Sequence, residues 1–214
     1  MPLFEEKGEV QIETGVSTTS LYMVGNYSFS EKYALIANGS ISYWNFLDYL
    51  SPGSHIADYL GVIGAPAPYH AFELGIGRYN LLPYSTRLLE VFFGAGYGMG
   101  YYENNIKQNF LQGFAQLNTG KKFKHVEIGW SLRTAFSGFH SQVRWSDIIE
   151  HERYKTIHLE PQFLIRVGGK RIKWFYRTGL NLAFPLSSNS MMKTIDYDPG
   201  YTMLHFSTGI SYRF

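Results

Sequence analysis

The chain has no cysteine, which removes disulfides, thiolate metal sites and cysteine nucleophiles together. It also has no uninterrupted apolar run near the roughly 18 residues that a membrane helix requires, so helical spans are excluded. Charged residues are scarce at 17%, against an ordinary quarter, and no basic stripe is present for a nucleic acid. The seven histidines show no close pairing beyond His151 between Glu150 and Glu152, which reads as a solvated charge run, so neither a metal nor another cofactor is expected. Met1-Pro2-Leu3-Phe4 carries no apolar export segment, and any export signal is expected to lie outside this numbering.

What the chain does have is aromatic residues and glycine. Sixteen Phe, 17 Tyr and 4 Trp stand beside 22 Gly in 214 residues, with a formal charge of +2 and a mean hydropathy of −0.17. Disorder, coiled coil and collagen are excluded by that composition, and the length suits a single domain over 1–214. The pattern behind it has a period of two. From Leu88 to Tyr101 one face reads Leu89, Val91, Phe93, Ala95, Tyr97, Met99, Tyr101 and the other Glu90, Phe92, Gly94, Gly96, Gly98, Gly100. Val126, Ile128, Trp130 and Leu132 likewise oppose Glu127, Gly129, Ser131 and Arg133, and the same alternation runs through 157–167 and 173–182. These are amphipathic strands.

About ten are expected, near 8–16, 20–29, 32–44, 69–81, 87–101, 107–120, 123–138, 155–168, 171–184 and 200–214. Tight connections at 30–32, 82–86, 121–122 and 168–170 face long ones near 45–68, 139–154 and 185–199. Short turns at one end and long loops at the other, joining an even number of alternating strands, mark an all-β, closed antiparallel transmembrane β-barrel. Eight strands is the alternative, with the 8–29 hairpin outside the membrane. A soluble barrel is the structural rival, but it would have to enclose Trp, Tyr, Phe and Leu from every strand behind a glycine-studded exterior. The polar face is therefore expected inside. Tyr43, Trp44, Tyr79, Tyr101, Tyr102, Trp174, Tyr176, Tyr201 and Tyr212 lie toward strand ends, as rings at headgroup depth would.

The chain ends Gly209-Ile210-Ser211-Tyr212-Arg213-Phe214, an alternating strand that resembles the C-terminal strand of bacterial outer-membrane barrels. Together with Glu6-Lys7-Gly8-Glu9-Val10-Gln11, Tyr33-Ala34-Leu35-Ile36-Ala37-Asn38-Gly39-Ser40, Phe72-Glu73-Leu74-Gly75-Ile76-Gly77, Gly94-Ala95-Gly96-Tyr97-Gly98 and Glu160-Pro161, it resembles a family of small outer-membrane β-barrel lipoproteins of Bacteroidota. The resemblance covers nearly the whole chain. It implies a Gram-negative outer-membrane location and an acylated cysteine shortly upstream of Pro2. It transfers no catalytic residue.

With the glycine face inward, Glu13, Glu73, Glu90, Glu127 and Glu160 share the lumen with Arg133, Arg166, Lys173, Arg177 and Arg213. Enclosed charges must be paired, and five against five reads as a structural plug packed with Phe92, Phe114 and Phe175. Two catalytic readings compete with it. His158, Glu160, His205 and Ser207 could form a Ser-His-Glu site of the kind barrel enzymes acting on lipid A use, and Asp196, Asp198 and His140 sit where a barrel protease would hold its Asp and His. Period-two spacing supplies inward His and Ser in any polar lumen, and an Asp-x-His pairing is missing. The Gly94 to Gly100 series has no following helix and does not bind phosphate. Lys121, Lys122, Lys124, Lys170, Arg171 and Lys173 cluster at two short turns, where headgroups or water would meet them.

The stretch from Asn45 to Tyr69 is unusually apolar for a loop. Phe46, Leu47, Tyr49, Leu50, Ile56, Tyr59, Leu60, Val62 and Ile63 are expected to serve as a lid or as a docking site for another outer-membrane protein. Residues 146–153 have an N-cap and suggest one or two helical turns. The expected role is a non-enzymatic structural or accessory subunit of a larger outer-membrane complex for assembly, nutrient uptake or secretion. The partners are the lipid bilayer and other outer-membrane proteins, with no nucleic acid and no metal. A barrel enzyme and a small channel are the alternatives.

Overall fold

A computed structural model describes residues 1–17, 20–42, 69–82, 85, 87–102, 106–145, 148–186 and 202–214. Ten strands follow in order: β1 (Val10–Ser17), β2 (Ser20–Tyr27), β3 (Tyr33–Ser42), β4 (Tyr69–Arg78), β5 (Leu88–Tyr102), β6 (Ile106–Lys122), β7 (Val126–Trp145), β8 (Ile148–Gly168), β9 (Ile172–Pro185) and β10 (Thr202–Arg213). Each pairs antiparallel with its sequence neighbour, and β1 closes on β10, with Gln11 opposite Arg213 and Ser17 opposite Ser207. The hairpin over 8–29 is part of this wall, so the eight-strand alternative is excluded. Closure pairs every strand with a neighbour on both sides around the wall, the condition for a sheet to stand in lipid; the projecting start of β8, before Thr156, has no β9 partner among the described residues.

Alternation decides which way each side chain points. Leu74, Phe93, Tyr97, Trp130, Trp174 and Ile210 are exposed on the outer wall, while Glu90, Phe92, Glu127, Arg166 and Phe175 are buried in the lumen. The outside is predominantly apolar among the described residues, to an extent that water does not tolerate. Tyr79 departs from the expected aromatic belt: it is buried inside, its ring 5.4 Å from Phe4 and its hydroxyl donating to the Ser30 carbonyl at 2.6 Å. Trp174 and Tyr176 do face outward. Tyr43, Trp44 and Tyr201 lie outside the described residues.

The expected loop at 139–154, with its helical turns at 146–153, is instead the tip of the β7–β8 hairpin. Its ladder runs from Val126 opposite Val167 to Trp145 opposite Ile148. At 20 and 21 residues these strands are far longer than β1 and β2 at 8 each, and roughly twice what about 10 residues of spanning strand require. The surplus lies at the end where the 43–68 and 187–201 connections also lie.

Glycines on the inner wall mark where lumen rings lie on the backbone. A Cβ on Gly94 would come within 2.6 Å of the Phe114 ring, and one on Gly75 within 3.0 Å of that ring and 2.9 Å of Ile36. Gly39 has the outward parity of Leu35 and Ile41, and a Cβ there would meet nothing within 4 Å. Gly94→Ala is therefore expected to lower stability by about 1–3 kcal/mol through overpacking, and Gly39→Ala by less than about 0.5 kcal/mol. Equilibrium unfolding of the two variants checks this, and equal losses would refute the packing account.

Candidate functional site

The lumen divides into a packed floor and an open upper half. At the floor, residues 1–4 enter the barrel at the short-turn end: Leu3 and Phe4 are fully buried, the Phe4 amide donates to Glu90 at 2.6 Å and the Leu3 carbonyl accepts from Gln11 at 3.1 Å. Phe4, Ile36, Tyr79, Phe92 and Phe114 form one apolar cluster, and Met1, Leu164 and Phe175 a second. This apolar filling accompanies the charges rather than replacing them.

All ten expected lumen charges lie in the interior, and nine are joined in ion pairs. Arg166, from β8, bridges Glu13 of β1 and Glu127 of β7, the latter at 3.0 Å. Glu127 also takes Lys173 at 2.9 Å and Arg213 at 2.8 Å, and Glu13 takes Arg177 at 2.7 Å. Higher in the barrel Arg133 spans Glu73 and Glu160, the latter at 3.1 Å, with its guanidinium 4.6 Å from the Phe114 ring centre. Glu90 is the exception, held by the Phe4 amide and by Asn118 at 3.1 Å. Pairing of this density satisfies charges that the lumen would otherwise penalise.

Three participants, Glu5, Glu9 and Lys122, stand outside the expected set. Glu9 accepts from Arg213 at 2.7 Å, and Lys122, expected at a solvated turn, is nearly buried and pairs with Glu5 at 3.3 Å and Glu9 at 3.5 Å. Strand parity carries the missing signal, because Glu9 shares a face with Gln11 and Glu13, and Lys122 one with Phe114 and Asn118. Lys121, of opposite parity, sits 5.2 Å from the Phe123 ring centre.

A cavity of about 400 Å³ runs from the floor residues Met1, Pro2 and Ile36 past the Arg133 cluster toward the loop end. His158, Glu160, His205 and Ser207 all line it, yet among the described residues no hydrogen bond joins one to another. His158 meets Asn181 at 3.2 Å and Glu160 is engaged by Arg133. The registers separate Ser207 from His158: Ser207 lies level with Arg177 and Leu164, whereas His158 is level with Ala183, six residues up β8, about 20 Å at strand rise. His205, two residues from Ser207 and level with Gln162 through Gly179, is the nearer base but hydrogen-bonds to neither Ser207 nor Glu160 among the described residues. A serine, base and carboxylate in sequence contact do not assemble. His140 meets His151 at 3.2 Å on the projecting hairpin. Asp196, Asp198 and the apolar stretch Phe46 to Ile63 lie outside the described residues.

No family model matches the chain, and no curated protein does. Among solved structures it is similar to the outer-membrane protease OmpT of Escherichia coli, with a TM-score of 0.57 over 100% of this chain and 99% of that one. The chain has the fold of an outer-membrane β-barrel. Identity to that protease is 12%, so the likeness is one of fold and carries no residue role across. OmpT of Vibrio cholerae, at a TM-score of 0.22 and 9% identity over 100% of both chains, is too distant to argue from.

Proposed function

We propose that this outer-membrane-type barrel is a non-enzymatic structural or accessory subunit of a larger outer-membrane complex, and that it stands with the Bacteroidota barrel lipoproteins its motifs resemble. The single observation behind the reading is the engagement of the lumen charges with one another. Nine of the ten expected groups are consumed in ion pairs, and among the described residues no lumen carboxylate is hydrogen-bonded to a histidine. A continuous ion path is opposed by the floor, where Phe4, Tyr79, Phe92 and Phe114 pack against each other. What the molecule offers instead is its loop end, where the β7–β8 ribbon stands beyond the shorter strands and the apolar sequence 45–69 connects β3 to β4. A hairpin already paired in a ladder loses less entropy on docking than an unpaired segment would.

Gentle extraction from native outer membrane, followed by native sizing and mass spectrometry, is expected to recover the chain with a larger outer-membrane protein. Recovery as monomer alone would overturn the subunit role. The lipid A reading rests on four residues that share a cavity but no hydrogen bond; the peptide-cleaving reading also calls on His140, Asp196 and Asp198, of which the two aspartates lie outside the described residues.

A further inference from the structure

We infer that the lumen cavity is a binding site for a neutral, hydroxyl-rich ligand of the size of one or two sugar rings. The cavity volume of about 400 Å³ lies within the usual range for small-molecule sites, and its lining reaches Ser17, Ser20 and Gly100 at the loop end of the barrel. Three features of the wall select the ligand class.

The first is charge. Glu73, Glu160, Arg133 and Arg177 are the carboxylates and guanidiniums of the lining, two of each sign, and each is already in an ion pair. Among the described lining residues an added charge would find no carboxylate or guanidinium outside an ion pair, and would have to be desolvated without that compensation. The second is unmet polar capacity. Asn26 is 3% exposed and Thr156 is 1% exposed. Both amide atoms of Asn26, the Thr156 hydroxyl and the Nε atoms of Arg133 and Arg177 are buried without a hydrogen-bond partner, and all four residues line the cavity. Buried groups of that kind are matched in nearly every protein, and a mixture of donors and acceptors around one space is met by hydroxyls, which do both. The third is an aromatic wall. Phe139 stacks on Tyr154 with centroids 4.6 Å apart and 5° between planes, and Phe110 lies 5.4 Å from Phe139. Such a face suits the C–H surface of a sugar ring, apolar on one side and polar at its rim.

The test uses the full chain folded in a detergent without a sugar headgroup. Saturation-transfer NMR and calorimetry are run with glucose, galactose, N-acetylglucosamine and their disaccharides, with glucose 6-phosphate and spermidine as charged probes. At least one neutral sugar is expected to bind with a Kd in the range of about 0.1–10 mM. Thr156→Val, which keeps shape and removes the hydroxyl, is expected to weaken it about tenfold. Phe139→Leu is expected to do the same while leaving the Thr156 hydroxyl in place, and far-ultraviolet circular dichroism confirms that each variant is folded. No sugar binding up to about 50 mM, or sugar binding unchanged in both folded variants, would show that the cavity holds water only. Tighter binding of either charged probe than of every neutral sugar would overturn the assignment of ligand class.

Discussion

Glu127→Gln is expected to cost this barrel about 3–5 kcal/mol of unfolding free energy, the loss that follows when one side of a buried ion network is removed. Glu127 is fully buried and is the only carboxylate that Lys173 meets in the described network, while it also takes Arg166 at 3.0 Å and Arg213 at 2.8 Å. Glutamine keeps the shape and one acceptor but none of the charge, so Lys173 would lose its carboxylate, and Arg166 and Arg213 would be left with Glu13 and Glu9 alone. Glu90→Gln provides the internal comparison. That carboxyl is equally buried but accepts only from the Phe4 amide and Asn118, and its substitution is expected to cost about 1 kcal/mol, the scale of a hydrogen bond. Adding Lys173→Met to Glu127→Gln should recover part of the loss, because the two positions are directly coupled. Urea unfolding from lipid vesicles measures all three. A Glu127→Gln loss no larger than that of Glu90→Gln would show that the network does not hold the lumen together.

The wall was largely legible because lipid and lumen impose opposite chemistries on successive residues. Where both faces meet water the contrast disappears, and the reading failed there: His140, Ser141 and Gln142 are opposite Arg153, Glu152 and His151 in a regular ladder, but their polarity on both faces looks like a loop. Tyr79 was misplaced for a related reason. A ring near a strand end fits a headgroup belt or a lumen floor equally well, and only its side of the wall decides.

The charge network was legible as a set of residues and illegible as a set of partners. Parity places Glu13 and Arg166 inside, but that they meet depends on barrel closure, since 153 residues separate them. The floor left no periodic trace, because Met1, Leu3 and Phe4 belong to no strand. The cavity was equally hidden. Its boundary is set by which inward side chains reach across the lumen, and residue type alone does not say whether Phe110 and Phe139 leave space beneath them or fill it.

Leu74→Arg is expected to lower stability in lipid vesicles by about 2–4 kcal/mol, the cost of placing a cation on the lipid face near the bilayer midplane. Leu74 is 55% exposed and sits mid-way along β4, between Ala37 of β3 and Ala95 of β5. Leu82, 45% exposed in the turn after β4, is also apolar and outward, but a turn lies at the interface, and Leu82→Arg is expected to cost only about 0–1 kcal/mol. The two substitutions are chemically identical and differ in depth. In a barrel surrounded by water both would fall within about 0.5 kcal/mol of the parent, as exposed surface changes do. The difference between the two losses, measured by reversible unfolding in the same vesicles, therefore reports the solvent outside the wall. If Leu74→Arg proves as mild as Leu82→Arg, the apolar exterior faces something other than hydrocarbon, and the assignment of this wall to lipid fails.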